Sequence, residues 1–413
     1  MRNRVVITGI GAVTPIGNDA KTFWNNCREG ISGIDYIKNF DTTDFKVKIA
    51  AEVKDFKAED FMDKKEAKRM DRFNQFAVAA ASEAVMDSGI DLEAVNKYRF
   101  GVIIGSGIGG LGTIQNECQK LLEKGPSRVS PLFIPMAISN MASGSVAIKY
   151  GAKGLCTSVV TACASGTNAI GDAYRALQNG IADIMIAGGA EASITPLGVA
   201  GFTSITALNT NNEIERASIP FDKERAGFVI GEGSGVLIME TLEHAINRGA
   251  KIYCEVVGYG STGDAYHMTQ PDPEAEGAAR SMQLAIEEAN VSLEEVSYIN
   301  AHGTSTYYND KIETLAIKKL FGELAYKVPI SSTKSMVGHS LGASGAIEAV
   351  VCVNAIKDNF IPPTIGYKVP DEECDLDYVP NVGRSTEVNY TLSNSFGFGG
   401  HNATIMFKKW KEK

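Results

Sequence analysis

Cys163 lies in V-V-T-A-C-A-S-G-T-N-A-I-G (159–171), between two runs of small residues. Such a setting suits a sharp strand-to-helix turn with the sulfur at its apex. A helix beginning just after it would aim free N–H groups and the positive end of its dipole at the thiol, which lowers a thiol pKa and makes a nucleophile. Three other segments could supply partners. They are N-A-H-G-T-S-T (300–306) with His302, S-S-T-K-S-M-V-G-H-S-L-G-A-S-G (331–345) with Lys334 and His339, and the glycine-rich turn S-N-S-F-G-F-G-G-H-N (393–402). A lone cysteine is more often a small core residue, and a lone histidine after a strand is more often part of a loop. Against that, the chain has only five histidines, and three of them (His302, His339, His401) sit in glycine-flanked turns. Glycines beside a catalytic side chain let substrate approach the backbone.

The elements that must hold these residues are short β-branched runs alternating with helical patterns. Strands are predicted at Val5–Gly9, Phe100–Gly105, Thr157–Thr161, Ile184–Ala190 and Ser234–Glu240, then at Ile252–Tyr259, Val296–His302, Val328–Thr333, Tyr390–Ser395 and Ala403–Lys408. Several are almost wholly apolar, as strands buried on both faces are. Helices are predicted at Asn74–Ser88, Thr167–Gln178, Glu276–Ala289, Lys311–Leu320 and Ala343–Lys357. Alternation of this kind implies an α/β chain with a parallel-rich sheet covered by helices, and carboxyl ends of such strands are where ligands collect. Each half repeats strand, glycine-rich turn and helix, although too little letter identity survives to establish a repeat. The chain divides best near Arg248–Ile252, with no Pro/Ser linker, so the halves share a large interface. Residues 107–150 and 191–233 read as insertions that build pockets or subunit contacts.

Whole-chain properties narrow the function classes. A net charge of −9 over 413 residues offers no global basic field for nucleic acid. Seven scattered cysteines without a C-x-x-C pair suit neither zinc nor a disulfide framework and read as reduced thiols of a cytosolic protein. The start M-R-N-R-V-V-I-T-G-I-G is too short and glycine-rich for a signal peptide, and no apolar run is long enough to span a membrane. G-S-G-I-G-G (105–110) matches the dinucleotide-binding spacing G-x-G-x-x-G, but no acidic ribose ligand follows, and a turn lining a pocket with Ile108 at its tip is the better reading.

T-A-C-A-S-G, N-A-H-G-T-S-T, S-S-T-K-S-M-V-G-H and N-S-F-G-F-G-G-x-N, in this order and spacing, resemble the β-ketoacyl-[acyl carrier protein] synthases, the elongating type II most of all. The resemblance runs from V-V-I-T-G-I-G-A-V-T-P-I-G (5–17) through F-D-K-E-R-A-G-F-V-I-G-E-G (221–233) and D-A-Y-H-M-T (264–269) to the last strand. It implies the thiolase-like fold, with duplicated β-α-β halves in five α-β-α-β-α layers. Residues 1–250 would form the half carrying the nucleophile and pocket insertions, and residues 251–413 the half carrying the two histidines. The implied reaction is decarboxylative Claisen condensation of malonyl-acyl carrier protein with an acyl chain held on Cys163, in fatty acid elongation. By the same resemblance the backbone N–H groups of Cys163 and Phe398 form the oxyanion hole, and His302 and His339 face the thioester enolate. Lys334 is a buried ammonium that hydrogen-bonds near His302 and is paired with Glu348. Thr304 and Thr306 hydrogen-bond the phosphopantetheine arm. Ile108 and Phe398 gate an acyl tunnel with Phe202 nearby. Lys65, Lys68 and Arg69 dock the acidic carrier protein, where charge runs are otherwise solvated helix faces. No cofactor is required, a homodimer in the cytoplasm is expected, and neither nucleic acid nor membrane is a partner. Family members can also hold a monovalent cation near the counterparts of Asn300, Glu313, Glu348, Ser393 and Asn394. A thiolase would need a second cysteine near the C-terminal turn, and an initiating synthase a His-Asn pair; this chain has neither.

Four departures from the family pattern stand out. Tyr307 and Tyr308 follow T-S-T where Pro and a small residue are usual, His401 replaces Thr, Ser344 replaces a common Ala, and Thr206 stands where an Arg often contacts the carrier. They leave room for a specialised ketosynthase of a polyketide or polyene pathway. A non-catalytic partner subunit of a ketosynthase is the reading from another class, and Cys163 speaks against it.

Overall fold

The computed structural model describes residues 2–411. Strands β1 (Val5–Val13), β2 (Phe100–Gly105), β3 (Cys156–Thr157), β4 (Ile184–Glu191) and β5 (Gly233–Thr241) precede β6 (Cys254–Gly263), β7 (Tyr298–Asn300), β8 (Ile330–Ser331), β9 (Tyr390–Gly397) and β10 (His401–Lys409). They join in the order β8-β7-β9-β10-β6-β1-β5-β4-β2-β3. Counted within its own set of five, each half therefore runs third, second, fourth, fifth, first. The strand senses repeat as well. In the first half β2 is parallel to β3 and β4, while β5 is antiparallel to β4 and β1. In the second, β7 is parallel to β8 and β9, while β10 is antiparallel to β9 and β6. The internal echo that the letters only hinted at is thus a complete duplication of topology. In the ten-stranded sheet the halves pair where Val5–Ile7 runs antiparallel to Cys254–Val256, and an isolated bridge joins Ile230 to His339.

The parallel-rich sheet expected from sequence is a mixed one. β9 and β10 are joined by the three-residue turn Phe398–Gly400, far too short for a crossover, so they pair antiparallel. β4 and β5, their counterparts in the other half, are antiparallel too. All ten expected strands exist, but β3, β7 and β8 are shorter than predicted because their ends peel off into the turns that carry the candidate residues.

Helix α1 (Arg72–Ser88) packs on β1, β5 and β4 on one outer face, and α3 (Glu276–Ala289), with α4 (Tyr307–Phe321) against it, covers β6 and β10 on the other. Between the halves lie α2 (Ser165–Gln178) and α5 (Ser344–Asp358), each in contact with strands of both sets. That gives five layers. A helix with sheet on both sides has no polar face, and every residue of α5 from Ser344 to Ile356 is buried. The small residues of the Cys163 segment allow the two central helices to meet: a Cβ on Gly166 would come 2.9 Å from the Ala346 nitrogen and from the Gly342 carbonyl oxygen. Residues 107–150 are not plain loop but carry the helices Leu111–Lys124, Phe133–Ala137 and Met141–Tyr150. No helix among the described residues is long and apolar enough to cross a membrane.

Candidate active site

Cys163 sits in the bend between β3 and α2. Ser165 fastens that bend: its Oγ accepts the Thr161 N–H at 2.9 Å and donates to the Ala162 carbonyl at 2.6 Å. Ala162 is left-handed, with φ +50°, a conformation that costs a non-glycine residue energy and aims the next side chain away from the strand direction. The β9–β10 turn comes down on this bend. A Cβ on Gly397 would lie 2.7 Å from the Thr161 carbonyl oxygen and 3.1 Å from the Cys163 nitrogen, so only glycine permits the approach. The approach brings the Phe398 N–H to the sulfur, beside the N–H of Cys163 itself, and both favour the thiolate. The expected depression of the thiol pKa does not follow. Burial dominates and pushes the thiol up to about 12, with the Lys334 charge and the two N–H groups opposing and Glu191 adding to the rise.

His302 follows β7. Glu313 of α4 clamps its backbone, accepting the N–H of His302 and that of Gly303, each at 2.8 Å. His339 precedes α5, its own N–H held by the Val229 carbonyl at 2.7 Å. The rings meet edge to face with centroids 5.3 Å apart, and His339 also packs edge-on against Phe228. Both imidazoles are held well below the usual histidine pKa, first by burial and then by the nearby Lys334 charge, so both are neutral at physiological pH. Lys334 is 1 % exposed and ion-paired with Glu348, itself inside the central helix α5. Burial raises the Glu348 carboxyl to about 7 against the pull of the ammonium. No hydrogen bond joins Lys334 to either ring among the described residues; it acts on them through its field.

Cys163, His302, His339, Phe398, Thr304, Thr306 and Phe202 line one cavity of about 440 Å³. Thr304 and Thr306 hydroxyls lie 2.9 Å apart on its wall. Four segments distant in sequence are therefore brought together as expected. Ile108 is not on this wall. It is 37 % exposed, at the tip of the glycine run. His401 is exposed and off the wall too, whereas Tyr307, Tyr308 and Thr206 line the mouth. Tyr307 is fixed there by a 2.9 Å bond to Glu373 and by Arg225 stacked over its ring. Lys65, Lys68 and Arg69 stand exposed around the short helix Lys64–Ala67, away from the cavity.

Glu191 was missed from sequence. It is fully buried at the end of β4 and accepts the N–H groups of Gly107 (2.7 Å), Ile108 (3.3 Å) and Gly342 (3.0 Å). With no cationic partner among the described residues, it is pushed by burial up to about 7. A carboxylate closing an otherwise apolar strand was the available signal. Its bonds also dispose of the dinucleotide motif: the N–H groups that would receive a pyrophosphate already bind the protein's own carboxylate.

Asn300 Oδ1, Glu348 Oε2 and Ser393 Oγ are buried without a hydrogen-bond partner. Orphaned hard oxygens of this kind fit a monovalent cation. Glu313 and Asn394 are already committed, Asn394 donating to Glu313 at 3.2 Å and accepting from Thr404 at 3.0 Å.

Comparison with known proteins bears on this geometry. The family model described as "Beta-ketoacyl synthase, N-terminal domain" matches residues 2–245, and that of the "C-terminal domain" matches residues 253–368. A protein of Staphylococcus aureus named 3-oxoacyl-[acyl-carrier-protein] synthase 2 is 54 % identical over 99 % of both chains. One of the same name from Synechocystis sp. is 55 % identical, again over 99 % of both. Among solved structures, a type II polyketide ketosynthase in complex with its acyl carrier protein superposes with a TM-score of 0.92 at 38 % identity over the full length of both chains. A β-ketoacyl synthase from Burkholderia phymatum gives 0.91 at 35 %, over 99 % of this chain and 100 % of that one.

Proposed function

The chain belongs to the β-ketoacyl synthase family, and from that premise we propose how its own residues carry the elongating condensation. It is an acyltransferase that joins an acyl chain to a malonyl unit with loss of carbon dioxide, in fatty acid synthesis. One observation carries the assignment of roles: a single cavity gathers a thiol, two neutral imidazoles and a backbone N–H from the other half of the chain.

In the first half-reaction Cys163 Sγ attacks the thioester carbonyl of a carrier-bound acyl chain. The new S–C bond forms, the bond to the pantetheine sulfur breaks, and the departing thiolate takes up the proton that the cysteine gives up. The N–H groups of Cys163 and Phe398 stabilise the oxyanion between these events. In the second, the carboxylate–carbon bond of the malonyl thioester breaks and its electrons pass into an enolate. His302 and His339, neutral and therefore each with an N–H to give, face the enolate oxygen. The enolate carbon attacks the acyl-cysteine and expels Cys163 as thiolate, leaving a β-ketoacyl thioester. Lys334, ion-paired with Glu348, lowers the proton affinity of both rings and favours the thiolate. Asn300, Glu348 and Ser393 are the residues that would hold a monovalent cation, which would add positive charge to the site.

Thr304 and Thr306, on the cavity wall, would take the pantetheine arm, and Phe202, also on the wall, would border the acyl chain. No cofactor takes part in these steps, and substrates arrive on the phosphopantetheine of an acyl carrier protein. Lys65, Lys68 and Arg69 form no ion pair among the described residues, so the chain offers a free basic patch to an acidic carrier. We take the halves as residues 1–250 and 251–413. β3 leaves Cys156 and Thr157 exposed at the edge of the sheet, an edge suited to pairing with a second copy in a homodimer. Seven free thiols suit the cytoplasm.

Incubation with acyl carrier-protein thioesters of graded length, followed by peptide mass spectrometry, tests the reading. Acylation must fall on Cys163; a label on another cysteine, or none, defeats it. A polyketide role would show as loading of ketide chains in preference to saturated ones.

A further inference from the structure

The two cavity histidines differ at Nδ1. That of His302 is sealed in with no hydrogen-bond partner. That of His339 lies 2.9 Å from the hydroxyl of Ser344, the first residue of α5, with both side chains buried. Such a contact can run either way: the ring N–H donates to the oxygen, or the hydroxyl donates to the bare ring nitrogen. The hydroxyl decides. Among the described residues Ser344 Oγ has no other partner, so if the ring donated, a buried O–H would be left without an acceptor, which is costly. If the hydroxyl donates, both groups are satisfied. A neutral imidazole has one N–H, and it must then be on Nε2, which no protein group engages and which is left for the cavity.

We propose that Ser344 is a positioning residue for the condensation: its hydroxyl donates to His339 Nδ1 and fixes the ring as the Nε2–H tautomer, the form able to donate to an enolate oxygen. This rests on the reading of His339 as an enolate donor. It assigns a task to a residue that departs from the family pattern, where a methyl group is common. It also makes the histidines unequal: His339 is a donor whose tautomer is set by a hydrogen bond, whereas His302 is oriented by its clamped backbone and by ring packing on His339 and Phe396.

The test uses full-length enzyme with nitrogen-15-labelled histidine, as wild type, Ser344→Ala and Ser344→Thr. Five histidines keep the spectrum assignable. Ser344→Ala should move the His339 ring signals from a single Nε2–H tautomer to a mixture. It should lower kcat for condensation about tenfold, the weight of one hydrogen bond, with KM and the rate of Cys163 acylation within about twofold. Ser344→Thr, which keeps the hydroxyl, should restore both the tautomer and most of the rate. An unchanged His339 spectrum in Ser344→Ala overturns the proposal. A tautomer mixture with undiminished condensation leaves the hydrogen bond standing but sinks the donor role of His339 on which the proposal rests. Failure of Ser344→Thr to rescue, with loss of acylation as well, assigns Ser344 to packing and also overturns it.

Discussion

The two halves of the chain share one frame and fill it differently. In each, the third strand leads through a bend into a helix of the central layer. In the first half that connection, β3 to α2, carries Cys163; in the second, β8 to α5, it carries Lys334 and His339. The second strand of each half also leads into a loop at the same place. After β7 this loop holds His302, Thr304 and Thr306, whereas after β2 it is the glycine run fastened to Glu191. One half thus supplies the sulfur and much of the apolar wall; the other supplies the imidazoles, the ion pair and the second N–H at the thiol. Topology fixes where a residue can act, and the side chain at each equivalent place decides what it does there.

Each of the following measurements can break or refine that division. The largest effect should come from the first half. Cys163→Ala should lower condensation by roughly 10⁴-fold or more while the fold stays intact; persistence of the full reaction would remove the nucleophile from this half altogether. His302→Ala should cut malonyl decarboxylation by about 10²–10³-fold and leave acylation of Cys163 far less affected. Equal loss of both half-reactions would mean that the halves do not divide the labour. Lys334→Met strands the Glu348 carboxylate in the central layer, and urea unfolding should show a loss of about 3–5 kcal/mol. A change under 1 kcal/mol would place the pair in a far more solvated setting than its burial indicates.

The smallest effect is a pH dependence carried by the second half. Unfolded histidines take a proton below about pH 6.5, while His302 and His339, held well below that, stay neutral in the fold. The unfolded chain then binds more protons, so the stability the two rings contribute is present above pH 6.5 and drains away as pH falls. A His302→Asn/His339→Asn variant should lose stability less steeply than the wild type between pH 7 and 5, read as the difference between two urea series. Glu191, Glu313 and Glu348, each pushed up to about 7, act in the opposite sense but are common to both proteins. Parallel curves would mean that the rings titrate normally.

Several strands were legible because burial on both faces leaves nearly unbroken apolar runs, as in Val5–Val13 and Ile184–Glu191. Their pairing sense was not, since a run such as Ile184–Glu191 reads the same whether its neighbour is parallel or antiparallel. The catalytic candidates were legible because glycine and small residues cluster where backbones crowd, as at Gly166 and Gly397. The thiol pKa was not: a helix end is visible in letters, but the desolvation that outweighs it depends on how two halves close. Ile108 failed for a related reason. Its position in a glycine loop was clear, and the carboxylate of Glu191, which turns the loop's N–H groups inward, comes from a distant strand. Ser344 was visible as a departure, but its partner Nδ1 became apparent only in three dimensions.

The meeting of Gly397 with Thr161 and Cys163 also has a consequence in time. The residues of the bend that holds the thiol are translated well before the turn between β9 and β10, which carries the Phe398 N–H. A nascent chain therefore carries its nucleophile before either cavity histidine is made, and for longer still without the second N–H at the sulfur. The β9–β10 hairpin, made after both histidines, brings the second N–H to a group translated long before it, so a chain cut short ahead of Phe398 lacks half of its oxyanion hole.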